Sequence, residues 1–426
     1  MIKPKAVMFV RLVNISLRGV TLLSKFFLIF LLARFLEPKD VALYGLMAAT
    51  IGYSLFALGF DFYTYSTREL LATERKHWAG LLRDQGCFFG IVYLVVLPAL
   101  SLIFIFGLLP LSMAPWFFIL VVLEHLAQEL NRLLVAMSRQ LLASIVLFLR
   151  SGLWAALVVV IFWVSEDLRQ LDLVFAGWSL GVAAACLLGA SALFRLHGGS
   201  LKRNIDWSWI RKGIKVALPL LIATLAIRGV FTLDRYWVQA VANVDVLAAY
   251  VLFAGVANAV MSFLDAGVFV FLYPKLISAY HQADRTAFNN GFRQLFIQTL
   301  AVTITLSGLA AILIFPLLEW LNRPAYSNNL AVLYWLLLAI FLYAMSMVPH
   351  YGMYAMSSDR PIIVSHIMAL VIFVILAYWL TGWSSQYGVP LALCGAFLGI
   401  LIYKTIAYLK LKGRQHWLLA ESLVST

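Results

Sequence analysis

The chain has 426 residues, of which 63% are hydrophobic and only 12% are charged. That is too little charge to cover a water-soluble surface, so the bilayer serves as solvent for most of the chain. The net charge of +13 does not point to nucleic acid, because the basic cytoplasmic loops of a membrane protein account for it.

Apolar segments recur from end to end. Segments of roughly 20 residues fit helices rather than strands of roughly 10, and only helices and closed barrels satisfy their backbone groups in lipid. Twelve spans are expected. Six lie near Val13–Phe35, Val41–Tyr65, Cys87–Leu109, Ser112–Asn131, Leu142–Trp163 and Leu173–Phe194. Six more lie near Ile214–Val238, Val246–Phe271, Phe296–Leu318, Leu330–Pro349, Ile362–Trp379 and Val389–Ala407. No small-residue cleavage site and polar mature region follow the first, so it reads as a retained helix rather than a signal peptide. Cys87, Cys186 and Cys394 sit in apolar segments without a CxxC pair, which suggests neither a disulfide framework nor a metal cluster.

In the first span Arg11, Arg18 and Lys25 recur every seven residues and share one face with about 20° of drift per step, with Asn14 close by. Lys25 lies roughly 20 Å beyond Arg11, so snorkelling serves Arg11 better than Arg18 or Lys25. This stripe reads as the lining of a route for an anion, against an internal ion-pair network. In the second span Gly52 and Gly59, with Phe56 between them, are placed to let a neighbour approach. Asp61 in the second span and Asp265 in the eighth occupy corresponding places and are candidates for ion coupling or charge balance. The fourth span carries Glu124, Gln128 and Asn131 on one stripe, and Glu124 is deep enough to neutralise Arg18 or Lys25 and to take a proton. Arg150 and Arg228 lie centrally in the fifth and seventh spans and join the cavity candidates.

Pro219 is placed to kink the seventh span. Farther along, Asp234 and Arg235 point about 100° apart and are not expected simply to pair with each other. His350 and His366 flank the link between the tenth and eleventh spans, outside any close His/Asp/Glu cluster, and read as packing or hydrogen-bonding residues. Lys404, Lys410, Lys412 and Arg414 form a basic tail.

Alternating the connections places most of the 32 basic residues on one face, and the positive-inside rule makes that face, with both termini, cytoplasmic. A polar stretch around residues 199–212 divides the chain into an N-terminal six-helix lobe, 1–198, and a C-terminal lobe with a short tail, 213–426. Asp40-Val-Ala-Leu-Tyr44 and Asp245-Val-Leu-Ala-Ala-Tyr250 each open the second helix of a half. Two six-helix halves of like orientation fit a parallel-repeat transporter. No GxxxxGK[ST] loop, metal cage or paired-acid arrangement stands out, so transport is favoured over an enzyme.

The segment from Leu22 to Glu37, with Ala33, Arg34 and Leu36, followed by Asp40 and Tyr44-Gly45, resembles the opening of bacterial polysaccharide flippases. These are the O-antigen and capsule-repeat members of the multidrug/oligosaccharidyl-lipid/polysaccharide exporter superfamily. Leu58-Gly59-Phe60 and Thr67-Arg68-Glu69 agree with the same family, while Glu37-Pro38 departs from its usual glycine. The specific match covers roughly the first 75 residues.

The resemblance implies two lobes around a central cavity in the bacterial inner membrane, and export by a monomer of undecaprenyl-diphosphate-linked oligosaccharide units for O-antigen or other lipopolysaccharide and polysaccharide biosynthesis. A polysaccharide polymerase and assembly proteins would be its partners, and a proton or sodium gradient, with no cofactor, its drive. Arg18, Lys25, Arg150 and Arg228 would hold the diphosphate, arginine by its forked donors and lysine as a point charge. Tyr63, Tyr65, Trp237 and Tyr250 would stack on sugars, against ordinary packing. The rival readings are a peptidoglycan lipid-precursor flippase, a cation-coupled drug exporter, against which the positive stripe counts, and a non-transporting scaffold.

Overall fold

A computed structural model describes residues 4–193 and 204–413, with the side chains of residues 4–12 and of Ile15 outside the description. Lys3, Arg195, Lys202, Arg203, Arg414 and the first part of the expected linker, 199–203, lie outside the described residues, as does the side chain of Arg11. All regular structure among the described residues is helical.

Twelve helices are long and apolar enough to cross a membrane. Spans 1 to 6 are Ser16–Phe35, Pro38–Gly59, Arg75–Ile105, Leu111–Ala136, Gln140–Val164 and Leu171–Ala190. Spans 7 to 12 are Trp207–Val241, Val244–His281, Arg285–Leu321, Leu330–Ala355, Asp359–Trp383 and Gly388–Gly413. The chain is an all-α, polytopic membrane protein.

Local chemistry sets several boundaries. Span 2 opens with Pro38, whose fixed φ suits a first helical turn. It ends where Phe60 and Asp61 take φ values of 53° and 47°, a left-handed pair that stops a helix whatever the hydropathy. The expected continuation to Tyr65 is therefore broken, and Tyr63–Ala72 forms a separate short helix. Span 8 is capped by Asn243, whose side chain accepts from the Val246 N–H at 2.9 Å. Span 7 runs as one helix through Pro219. Two spans carry a single wide π turn, Leu149–Leu153 in span 5 and Asp265–Phe269 in span 8, a device often found at functional positions.

The chain forms two compact units, Met1–Leu225 and Ala226–Thr426. In the first, span 4 packs on spans 2 and 6, and span 1 on span 5. The opening of span 7 is tied into this unit by Trp209, which packs with Phe62, Tyr65 and Phe88. Asp84 accepts from the Asp206 N–H, and Arg83 donates to the Asn204 carbonyl at 3.0 Å. In the second unit span 12 packs on spans 10 and 11, and span 8 on span 10. Gly395 and Gly399 face span 11 so closely that Cβ atoms there would lie 2.3 Å from Leu376 and 2.8 Å from Ile372. This small-xxx-small pair lets two helices approach in lipid, where dispersion replaces the hydrophobic effect as the attraction. Of the two glycines expected to admit a neighbour to span 2, Gly59 does so, with His125 packed against it, whereas Gly52 faces open space.

Candidate functional site

The most elaborate polar centre of the first unit is built on Glu124. Its carboxylate is buried in span 4 and accepts from Arg150 Nε at 2.5 Å and from the Trp178 indole N–H at 2.6 Å. One turn along, Gln128 accepts from a second Arg150 nitrogen at 3.3 Å. Arg150 sits in the π turn of span 5, and its carbonyl accepts from Trp154. Trp154 stacks on Trp178 with ring centroids 5.6 Å apart and planes 9° from parallel. Span 1 comes close enough that a Cβ at Gly152 would meet the Thr21 hydroxyl. One turn beyond Thr21, Lys25 interacts electrostatically with both Glu124 and Arg150. Tyr44 of span 2 does so with Glu124 and stacks on Phe175.

Five spans thus place two cations and one carboxylate in one network. In a medium where unpaired charge is costly, whatever alters the charge on Glu124 must be felt at Arg150 and Lys25. A proton on Glu124 would weaken the acceptor that holds Arg150. The arrangement can therefore register an ion by rearranging its own pairs.

The other expected residues are distributed as follows. Arg18 is exposed on span 1. Arg228 is exposed on span 7 and interacts electrostatically with Asp265 of span 8 and Tyr343 of span 10. Asp61 is buried in the left-handed turn after span 2 rather than within that span, and its carbonyl accepts from the Thr64 hydroxyl. Tyr63 lies under the Arg132 guanidinium, 3.6 Å from the ring centroid. Arg132 is held by Glu129, which also accepts from Gln85. These groups line a cavity of about 170 Å³ in the first unit.

Tyr65 packs on Phe62 and Trp209, and burial, with Glu69 and Asp206 nearby, pushes its phenol up to about 12. Trp237 is half-buried against Phe373. Tyr250 is fully buried and donates to Asp234 at 2.7 Å. Asp234 and Arg235 do pair, at 3.1 Å, against expectation. The long arginine side chain folds back to the Phe231 carbonyl and so reaches its neighbour's carboxylate.

Four residues escape sequence reasoning. Trp178 is 54 residues from Glu124, so nothing local announces the bond between them. Lys404, expected in the basic tail, lies inside span 12, fully buried. His350 and His366, expected as isolated packing residues, stack on each other with centroids 5.9 Å apart.

No protein-family profile and no curated sequence matches the chain. Solved structures do. An inward-facing multidrug resistance transporter of the MATE family of the MOP superfamily is 14% identical with a TM-score of 0.73, over 96% of this chain and 99% of that one. An outward-facing structure of such a transporter is 15% identical with a TM-score of 0.58, over 97% and 96% of the two chains. A MOP superfamily transporter from Pyrococcus furiosus, described by the reverse polarity of its binding pocket, is 14% identical with a TM-score of 0.59, over 97% and 95%.

These likenesses correct the expected cargo. The similar structures include multidrug transporters in two conformations, which overturns the reading as a flippase for undecaprenyl-diphosphate-linked oligosaccharides and with it the terms O-antigen, lipopolysaccharide and polysaccharide biosynthesis. The physical reason lies in the cations themselves. Arg150 is already held by Glu124, Lys25 shares that carboxylate's field, and Arg228 has Asp265 nearby, so they do not form a free positive track for diphosphate. Among the described residues no group of three or more His, Cys, Asp or Glu is placed to hold a metal ion. The chain has the fold of these solved MOP-superfamily transporters.

Proposed function

We propose that this protein exports small amphipathic organic compounds across the bacterial inner membrane by alternating access, driven by a proton or sodium gradient. The observation that carries the reading is a likeness over nearly the whole chain to multidrug transporters in both inward-facing and outward-facing forms. The Glu124 network supplies the chemistry. A coupling ion that competes for Glu124 would release Arg150 and Lys25, and their re-pairing would favour the alternate state. Arg228 and Asp265 balance charge in the second unit, and Arg18 lies on the same helix as Lys25.

Residues 1–198 and 213–426 serve as the two six-helix lobes, joined by 199–212, with both termini in the cytoplasm. The pairing of Arg150 with Glu124, and the carboxylates acting near Lys25 and Arg228, weaken the main objection to this cargo, which was the apparent excess of positive charge.

The test is ethidium transport by the purified chain in proteoliposomes under imposed proton or sodium gradients. Wild type is expected to move ethidium against its gradient under one of them, and Glu124→Gln to lower the rate at least about tenfold while inserting normally. No gradient-driven movement of ethidium or of an anionic amphipathic dye would overturn the reading.

A further inference from the structure

The second unit buries a cluster of basic groups that the network around Glu124 does not use. His350 of span 10 and His366 of span 11 lie nearly parallel, with ring centroids 5.9 Å apart and planes 11° from each other. Lys404 of span 12 is fully buried, and its Nζ has no hydrogen-bond partner. The Nδ1 of His350 has none either. Lys404 and His366 both act electrostatically on His350, so three helices bring three basic groups together.

Among the described residues of their own three spans, acid is nearly absent. Spans 10, 11 and 12 contain a single carboxylate, Asp359, which is exposed at the start of span 11 and seven residues from His366, or about 10 Å along the helix. Lys404 and His366 act on His350, Tyr408 lies one turn from Lys404 on span 12, and Tyr351 lies against His350 with Asp265 of span 8 acting on it in turn.

An ammonium buried without an acceptor is costly, and several positive charges held together there are far more so. The cluster cannot be fully charged in the packed state. It can be charged only where water reaches it. Nine residues separate Lys404 from the end of span 12 at Gly413, a depth of roughly 13 Å. Over that path lies Tyr408, one turn nearer the end, stacked on Phe292 of span 9 with centroids 4.4 Å apart. Its ring sits where a Cβ on Gly352 would fall. Pro349, just before His350, removes one backbone hydrogen bond from span 10 beside the cluster. The Tyr408–Phe292 pair is the aromatic contact nearest the cluster on the side where span 12 ends.

We infer that His350, His366 and Lys404 form a proton-binding site of the second unit, loaded when the end of the helices opens and emptied when it closes. Its role in a transport cycle rests on the export reading above, whereas proton binding itself does not.

The experiment uses the full chain in lipid nanodiscs with lysine labelled by 13C at Cε, whose resonance distinguishes ammonium from amine. The Lys404 signal, identified by its loss in Lys404→Met, is expected to pass reversibly between the two forms as the pH is swept up and down. His350→Asn and His366→Asn retain Lys404 and are expected to shift that passage, so the test does not depend on a single variant folding. A signal fixed in one form throughout overturns the site, whether as a constant amine or as an ammonium held by chloride.

In proteoliposomes, Lys404→Met is expected to lose at least about tenfold in proton-driven ethidium transport. Unchanged proton-coupled transport in that variant overturns the role in the cycle. Titration of Lys404 in a wild type that moves no amphipathic dye sinks the export reading and leaves the proton site standing.

Discussion

Glu124 shows how much a single carboxylate can organise. Its position on the stripe with Gln128 was readable from spacing, because helical periodicity fixes which residues share a face. Its partners were not. Arg150 is 26 residues away and Trp178 54, and no local pattern reports which helix will pack there. Replacing Trp178 by Phe removes the donor and leaves one buried carboxylate oxygen short of a partner. The expected cost is about 1–3 kcal/mol, seen as an earlier thermal unfolding in detergent. Tyr250→Phe should act alike at Asp234, whose carboxylate accepts from the buried Tyr250 phenol. Lys404 is the opposite lesson. Its neighbours Lys410 and Lys412 made it look like tail, and only the packing of spans 10 and 11 around it shows that it is interior.

At the scale of elements, hydropathy alone located all twelve spans, because long apolar runs in lipid have no alternative to the helix. It could not see the break after Gly59, where two left-handed residues override an apolar sequence, nor the π turns that carry Arg150 and Asp265. The contact of spans 11 and 12 depends on Gly395 and Gly399. Gly395→Ile is expected to destabilise the protein by about 1–3 kcal/mol through overpacking. Gly382→Ile, where nothing lies within 4 Å of the added carbon, should leave the melting temperature nearly unchanged. Equal shifts in the two variants would show that the close approach contributes nothing.

For the molecule as a whole, the bias of basic residues toward one face assigns an orientation that cysteine labelling can check. In a cysteine-free background, Ser357→Cys in the turn between spans 10 and 11 should react only from the cytoplasm, and Ser385→Cys between spans 11 and 12 only from outside. The reverse pattern would invert the topology. The sequence by itself determined the solvent, the helical class and the number of spans, since these follow from composition and the length of apolar runs. It also marked Arg150, Lys25 and Glu124 as out of place in lipid. Only the tertiary structure decided what those charges do, because pairing depends on which helices meet. Arg150 became the partner of a carboxylate on another helix, while a lysine that looked peripheral became a buried member of a basic cluster.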